Sequence, residues 1–299
     1  MDDAAAARSG GSAQGLRERL GAELFARVAG PDGPAVRQRI HGRPGPRWFG
    51  PERPIRTVHG DAAMFVGGLR ALLLQSLHPL AMAAVAAHSG FRSDPWGRLQ
   101  RTSTFLAVTT FGTAEDAQAA VDRVRAVHAR INGTTASGQS YRAADPHLLG
   151  WVHTAEVDSF LRAHQAFGAA PLDAAGCDGY LADTAHVASA LGVLDPPRDR
   201  DELAARLRAY GPELAATAQA RDTARFLLLH PPLPLAARPA YTALAGAAVS
   251  LLPRESRRLL GLPTVPLLEP AVVRPAGRAV VRLIRWAMAG PPPPEQQPG

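Results

Sequence analysis

The chain has 299 residues and a formal net charge of +7, with a sequence pI near 10.7. All 33 basic residues are arginine, and the lack of lysine excludes a Schiff-base lysine or a P-loop lysine as a functional group. The arginines are scattered among acids and alanines instead of forming one basic stripe, so the charge predicts no nucleic-acid partner.

Cysteine usage and the lack of leader-like or spanning segments limit the cellular setting. Cys177 is the single cysteine, so no intrachain disulfide can form. The first residues, MDDAAAARSGGS, contain neither the basic nor the apolar region of a signal peptide. No uninterrupted apolar run reaches about 18 residues. We therefore expect a soluble, cytoplasmic protein.

Hydrophobic periodicity and helix stop signals predict an all-α, multi-helix single domain of about nine to eleven helices, without strands or a Gly-rich nucleotide loop. Residues 1–12 are expected to be disordered, 13–288 to form the helical domain, and 289–299 to be a disordered Pro-rich tail. Helices are predicted, in chain order, over 16–29, 61–89, 95–111, 114–131, 146–167, 178–191, 199–210, 213–230, 238–252 and 267–288, with a Gly-, Pro- and Arg-rich loop over 30–58.

Two helix starts give the clearest local signals. Thr113 and Asp116 resemble a capping box, with aspartate in place of the usual glutamate, and the following Asn132-Gly133 is typical of a C-terminal stop. Asp145 followed by Pro146 predicts another start, because an N-cap residue precedes a proline at the first helical position.

The ten histidines show no metal-binding motif. None forms HExxH or another close ligand spacing, and no Cys/His cluster exists, so structural zinc is not expected. His78 and His88 would point about 80° apart on one helix, too far round to share an ion. His153 and Glu156 are three residues apart, but the sequence shows no further ligands beside them.

His128 falls on the apolar face of the helix that begins after Thr113, among valines and an isoleucine. A lone histidine on an apolar face is most often a satisfied core residue, and the alternative is an axial ligand to a buried metal macrocycle. Arg98 and Thr102 are four residues apart and share a helix face, with Arg101 beside them. They form either a solvated helix start or a polar cluster in which an arginine binds a propionate or orients an oxygen ligand.

Four segments follow one another along the chain: QSLHPLAMAAVAAHSGFRSDP (75–95), RLQRT (98–102), HARING (128–133) and YRAADPHLLGWVHTAEVDSFL (141–161). Each is a weak motif alone, but their order and spacing resemble the MpaB-type oxygenase family, which also contains the bacterial rubber oxygenases, or latex-clearing proteins. The resemblance covers residues 60–230 or thereabouts. It implies a helical fold with a globin-like core that holds a haem b.

The resemblance also implies roles for individual residues. His128 would be the proximal iron ligand, and Arg98 and Thr102 would be the catalytic R-x-x-x-T pair near the haem. In rubber oxygenases a lysine just before that threonine can cap the distal side of the haem. Arg101 stands at this position here and is expected near the cofactor, but a permanently protonated guanidinium is a poor iron ligand. The distal ligand and the catalytic base stay unassigned.

The function that the resemblance implies is a haem-dependent oxygenase that uses dioxygen on an apolar, isoprenoid-like substrate, by oxidative C=C cleavage or a related oxygenation. The alternative is a non-catalytic helical protein that binds haem or lipid in the same pocket. A helical interaction protein without cofactor would also bury His128. The lack of a signal peptide favours a small or membrane-dissolved lipid over an extracellular polymer as the substrate.

The C-terminal helix suggests peripheral contact with a membrane. Residues 272–288, VVRPAGRAVVRLIRWAM, place arginines at spacings of three and four, which predicts one cationic face, and Trp286 is a candidate interfacial anchor. The same pattern is typical of a surface helix that packs against the core, so both interpretations stay open.

Overall fold

The structure, a computed structural model, describes residues 3–88, 90 and 93–289, without the side chains of residues 3–13 and 16. In this part of the chain the fold is all-α, as predicted, with one short β-hairpin. The helices are α1 (Asp3–Ala29), α2 (Gly33–Gly42), α3 (Pro54–His59), α4 (Met64–Gln75), α5 (Pro79–His88), α6 (Pro95–Phe111), α7 (Ala114–His128), α8 (Pro146–Phe167), α9 (Ala174–Leu191), α10 (Arg200–Tyr210), α11 (Ala218–Leu229), α12 (Arg238–Ser250), α13 (Arg254–Leu260) and α14 (Arg274–Met288). The antiparallel strands are β1 (Asn132–Thr134) and β2 (Ser140–Arg142).

The amino-terminal part contains more helix than the sequence predicts. The backbone of α1 is helical from Asp3, although disorder is expected over 1–12; the alanines of this stretch have high helix propensity. α2 lies within 30–58, where a loop is expected, and α3 begins in that range and ends at His59. Each has a proline at its first or second position, where the missing N–H would have no helical partner.

The division into a domain over 13–288 and two flanking segments stays a prediction. Of the expected Pro-rich tail, the described residues include Ala289 alone.

The prediction of one helix over 61–89 is wrong, because the chain forms α4 and α5 with a bend of 109° between them. Pro79 explains the break: it has no N–H to donate, its ring clashes with the carbonyl four residues earlier, and it disfavours helical geometry at His78. The bend places His78 in a turn, with its side chain buried. In the described part of the chain no single helix is long and apolar enough to cross a membrane, and α4 with α5 meets that test only as a bent pair.

α8 is the central helix, and α4 packs along it. Trp151 and Ala155 of α8 join Leu73 and Leu77 in one buried cluster. Each large apolar side chain buried in this way contributes about 1.5–3 kcal/mol. Gly67 allows the close approach of the two helices, because a Cβ there would lie 2.8 Å from the Phe160 ring.

Both predicted helix starts are confirmed. The Thr113 hydroxyl accepts from the Asp116 N–H at 3.2 Å, and the Asp145 carboxylate accepts from the His147 N–H at 2.8 Å. α7 ends at His128, earlier than the sequence predicts, and Asn132–Thr134 pairs with Ser140–Arg142 as a hairpin. The predicted stop is therefore a hairpin strand, although no strand was expected there.

α14 packs against α1 and α12. Its buried residues are Gly277, Val281, Ile284 and Ala287. Of the arginines predicted to form one cationic face, Arg278 and Arg282 are exposed, whereas Arg285 is half-buried and lies 2.8 Å from Asp61 Oδ1. The helix is packed against the core, and Trp286 stays 39% exposed.

Candidate functional site

A helical hairpin brings together the residues that the sequence singled out. α6 and α7 are joined by Gly112 and Thr113 alone and pack against each other, so they run antiparallel. The start of α6, which carries Arg98 and Thr102, therefore lies at the same end of the hairpin as His128, the last residue of α7. Arg98 and Thr102, which lie 30 and 26 positions before His128 in the sequence, thus share one region of the fold with it.

His128 has the properties of an available ligand. Its side chain is half-buried, and among the described residues its ring makes no hydrogen bond. Burial lowers the pKa of the imidazole, so the ring is neutral at pH 7. A neutral imidazole with an unshared lone pair is the form that binds a metal, whereas a satisfied core histidine would have a hydrogen-bond partner.

The polar residues at the start of α6 differ in their surroundings. Arg98 is half-buried, and burial, followed by repulsion from Arg101, lowers its pKa. Thr102 is exposed and its hydroxyl donates to the Arg98 carbonyl at 3.0 Å. Arg101 is 64% exposed, and its Nη1 lies 3.2 Å from the carboxylate of Asp94, the N-cap of the same helix. Arg98 is therefore better placed than Arg101 to hold an anionic group inside the protein.

The remaining segments of the sequence pattern adjoin this hairpin. Tyr141 on β2 is buried, and its hydroxyl lies 3.3 Å from Nε2 of His88 at the end of α5. Gly133 is required on β1, because a Cβ there would lie 2.5 Å from that hydroxyl. Gln75 ends α4, and its carbonyl accepts from the indole N–H of Trp151 on α8 at 3.2 Å. The β-hairpin that follows α7 thus contacts the end of α5, and the end of α4 contacts α8.

α8 carries two buried titratable groups that the sequence showed only as an isolated pair. Burial raises the pKa of Glu156 to about 7 and lowers the pKa of His153 to about 4. Nε2 of His153 is buried and has no hydrogen-bond partner among the described residues. Both side chains nevertheless keep some accessible surface. Both groups are desolvated by the surrounding helices, which disfavours the charged form of each.

A hydrogen-bonded chain lies beside these groups. His59 on α3 contacts the Thr110 hydroxyl through Nδ1 at 2.8 Å and the Tyr180 hydroxyl through Nε2 at 3.3 Å. Burial lowers the pKa of His59 to about 3, so its ring is neutral. Burial, and then the negative charge of Glu156, raise the pKa of Tyr180. Glu156 therefore acts electrostatically on this chain, and with its own pKa near neutrality it can hold or release a proton.

Three residues with metal-ligating side chains meet in three dimensions, although the histidines show no close ligand spacing along the sequence. The ligand atoms of His78, His147 and Glu213 lie within 4.8 Å of one another. Glu213 is 135 residues from His78 and 66 from His147, so the sequence spacing could not reveal the group. Folding brings the bend between α4 and α5 against the start of α8.

A surface cleft of about 620 Å³ lies elsewhere, between the end of α9 and α10. Ser189, Asp195, Arg198 and Glu202 are among the residues that line it. It contains none of the predicted site residues.

Comparison with known proteins decides the family. The family model described as ER-bound oxygenase mpaB/B'/rubber oxygenase, catalytic domain, matches residues 56–286. The chain belongs to this family. The match to this oxygenase catalytic domain extends from α3 into α14 and includes every site residue discussed above, so it reaches beyond the region that the four sequence motifs covered.

Individual relatives match a smaller part of the chain than the family model does. Uncharacterized proteins of Mycobacterium bovis and Mycobacterium tuberculosis are each 33% identical over 99 residues, which is 33% of this chain and 38% of each relative. The match thus spans less than half the length of those relatives. No solved structure matches the chain.

Proposed function

We propose that the protein is a haem-b-dependent oxygenase that uses dioxygen to oxidise an apolar, isoprenoid-like molecule. His128 carries the proposal. Its imidazole is neutral, half-buried and without a hydrogen-bond partner among the described residues, and it lies at the same end of the α6–α7 hairpin as Arg98. A free imidazole in this position, in a member of an oxygenase family, supports an iron ligand.

The residues present fit a haem. The lone pair of His128 would be available to hold the iron. Arg98 can bind a propionate bidentately, and a carboxylate beside it would offset the cost that burial imposes on its charge. The Thr102 hydroxyl donates to a backbone carbonyl and so keeps its lone pairs as acceptors. Arg101 stays a candidate for a contact at the edge of the cofactor only, because Asp94 holds it at the surface.

The cofactor, when bound, would supply the site of dioxygen activation. The residues of the chain would provide the rest: His128 would hold the iron, and the apolar interior would exclude water and orient an alkene. Glu156 holds or releases a proton at its carboxyl oxygen near neutral pH. We propose that it acts as an acid–base group of the interior through the Tyr180 hydroxyl, which His59 links to Thr110 at the end of α6 away from Arg98. The neighbouring Tyr180 hydroxyl stays protonated, because burial and Glu156 raise its pKa.

The absorption spectrum of the purified protein tests the cofactor and its ligand together. We expect a Soret band in the wild-type protein and its loss, for the most part, in His128→Ala. His230→Ala is the matched control, because that side chain is exposed and lies outside the site, and it should keep the band. A full band in His128→Ala would remove His128 from the iron. No band in the wild-type protein would favour a helical interaction protein without cofactor.

Oxygen uptake separates an oxygenase from a haem or lipid carrier. We expect the haem-loaded protein to consume dioxygen with one class of a panel of isoprenoids, as the substrate loses a C=C bond. Glu156→Gln should slow this consumption and leave the Soret band unchanged. A haem-loaded protein that consumes no dioxygen with any member of the panel would instead support the non-catalytic binding protein.

We further propose that an apolar substrate reaches the protein at a membrane surface near α14. Exposed apolar side chains are concentrated there: Leu267 (86%), Val272 (57%), Leu283 (48%) and Trp286 (39%). Arg278 and Arg282 are exposed on the same helix and can pair with anionic headgroups. The packing of α14 limits this contact to its exposed side chains.

A further inference from the structure

Three side chains from distant parts of the chain converge at the bend between α4 and α5. Nε2 of His147 lies 2.9 and 2.8 Å from the two carboxylate oxygens of Glu213, and Nε2 of His78 lies 3.2 Å from the nearer one. Zinc–ligand bonds of about 2.0–2.1 Å place the ligand atoms of a tetrahedron about 3.3 Å apart. The two histidine–glutamate separations therefore differ from those of a zinc site by roughly a few tenths of an ångström, and the three ligand atoms all lie within 4.8 Å of one another. We propose that His78, His147 and Glu213 form a site for one Zn²⁺. This site is separate from the haem iron proposed at His128.

Hydrogen bonds to main-chain carbonyls hold the segments that carry these ligands. The Tyr210 hydroxyl, at the end of α10, donates to the carbonyl of His147 at 2.8 Å. Just after Glu213, the N–H of Ala215 donates to the carbonyl of Leu77 at 2.8 Å. These two bonds fix Glu213 against both histidines independently of the side-chain contacts. The ligand positions are therefore preorganised by the fold, which reduces the entropic cost of binding a metal.

The burial of the three ligands is graded from the core to the surface. The side chain of His78 is 3% exposed, that of Glu213 39% and that of His147 56%. An ion can therefore enter from the solvent side, where a water molecule can fill the fourth position. Nδ1 of His78 is buried without a hydrogen-bond partner among the described residues. The ring is thus anchored through the nitrogen that faces Glu213, and it can adjust toward an ion.

The donor set selects the metal. Two imidazoles and one carboxylate are the ligands of zinc sites with an open position, whereas Mg²⁺ and Ca²⁺ prefer oxygen donors throughout. The same donors also occur in non-haem iron sites, but such a site binds Zn²⁺ more tightly than Fe²⁺. The ion would link the α4–α5 bend, the start of α8 and the turn after α10. Its effect is therefore on stability, by cross-linking segments that are far apart in the sequence.

Metal titration of the chelator-treated protein tests the site. We expect isothermal titration with Zn²⁺ to give one site per chain and Co²⁺ to give visible d–d bands of tetrahedral type. At Zn²⁺ about 100-fold above its dissociation constant, the melting temperature should rise by about 5 °C. Because disturbing outer-shell partners alone costs about 10–100-fold in affinity, His147→Ala and Glu213→Gln should each bind Zn²⁺ about 100-fold more weakly or worse.

The controls separate this site from the haem proposal. His230→Ala should bind Zn²⁺ like the wild-type protein, and His128→Ala should lose the Soret band and still bind Zn²⁺ in full. Both ligand variants change side chains that are more than a third exposed, so each should fold. The proposal is overturned if the wild-type protein binds no stoichiometric Zn²⁺, or if both ligand variants keep its full affinity.

Discussion

Arg70 on α4 donates from Nη2 to Oδ2 of Asp158 on α8 at 2.6 Å, and the two side chains are 0% and 3% exposed. Further hydrogen bonds hold both members of the pair. Arg70 donates to the Ser159 hydroxyl at 2.6 Å and to the Leu251 carbonyl at 3.0 Å, and Asp158 accepts from Arg162 at 2.7 Å. A buried ion pair is tolerated when its other donors and acceptors are satisfied in this way.

Removal of one member of this pair should strongly destabilise the fold. We expect Asp158→Ala to lower the free energy of unfolding by about 3–5 kcal/mol, because it leaves the Arg70 charge buried without its counterion. The double variant Arg70→Met, Asp158→Leu should recover most of that loss. Urea denaturation measures both. Asp178→Ala, which breaks an exposed pair with Arg200, is the control and should change little. Equal stability of Asp158→Ala and this control would contradict a stabilising role for the buried Arg70–Asp158 pair.

The same pair shows why sequence patterns reveal some features and miss others. The helix starts at Thr113 and Asp145 were predictable, because a cap and its partner lie within three residues. Arg70 looked like an interruption in an apolar stretch, because its partner lies 88 residues away. The break before Pro79 was a local signal, but the apolar residues on both sides of it suggested one continuous helix.

The residues of the candidate site differ in the same way: some are recognisable from local sequence motifs, and others depend on contacts between distant parts of the chain. Arg98 and His128 were found from motifs whose order and spacing resemble a family. The role of Glu156 depends on desolvation by surrounding helices, which no local spacing encodes; the only sequence signal is a carboxylate on a mostly apolar helix. His78 and Glu213 meet through the chain's topology, so a search for close ligand spacings could not detect them.

Glu156 should make stability depend on pH in a predictable direction. Burial raises its pKa from 4.5 to about 7, so between these pH values the folded state keeps a proton that the unfolded state has lost. Stability contributed by the protonated group is thus lost as pH rises through this window. Glu156→Gln should therefore be more stable than the wild type at pH 8, on the order of 1–3 kcal/mol, and lose most of that gain at pH 5.

Chemical denaturation at several pH values between 5 and 8 measures this difference. His59 and His153 act in the opposite direction, because their lowered pKa values make stability fall as pH drops below 6.5. They are unchanged in the variant, so their effects cancel in the comparison. Glu115→Gln, at a side chain that is 78% exposed, is the control. A gain of equal size at pH 5 and pH 8 would show that Glu156 is not desolvated as described.

The two arginines at the start of α6 should differ in their effect on haem binding. Arg98→Ala should weaken haem binding by about 10–100-fold, since a charge-assisted hydrogen bond contributes about 1.5–3 kcal/mol. Arg101→Ala should stay within about threefold of the wild type, because its partner is the exposed carboxylate of Asp94. Haem titration followed by absorbance compares them. A larger loss of haem affinity in Arg101→Ala than in Arg98→Ala would place Arg101, rather than Arg98, at the cofactor.

The membrane contact proposed for α14 is best tested with point variants. Deletion of the C-terminal segment would remove Val281 and Ile284 from the core and unfold the protein, so it cannot isolate a surface effect. We expect the wild-type protein to float with vesicles that contain phosphatidylserine, at low salt, and not with neutral vesicles. Arg278→Glu combined with Arg282→Glu should reduce binding at least about tenfold, because each basic residue near an anionic surface contributes about 1 kcal/mol.

An apolar variant and its control complete the flotation test. Leu267→Ser should also weaken flotation, since that side chain is 86% exposed beside α14 and would insert among the lipids. Leu194→Ser is matched to it, because Leu194 is 67% exposed in the loop after α9. It should float like the wild type if the contact is confined to the C-terminal region. Equal flotation of the wild type, the charge-reversal variant and Leu267→Ser would show that α14 makes no membrane contact, and the substrate would then have to reach the protein from solution.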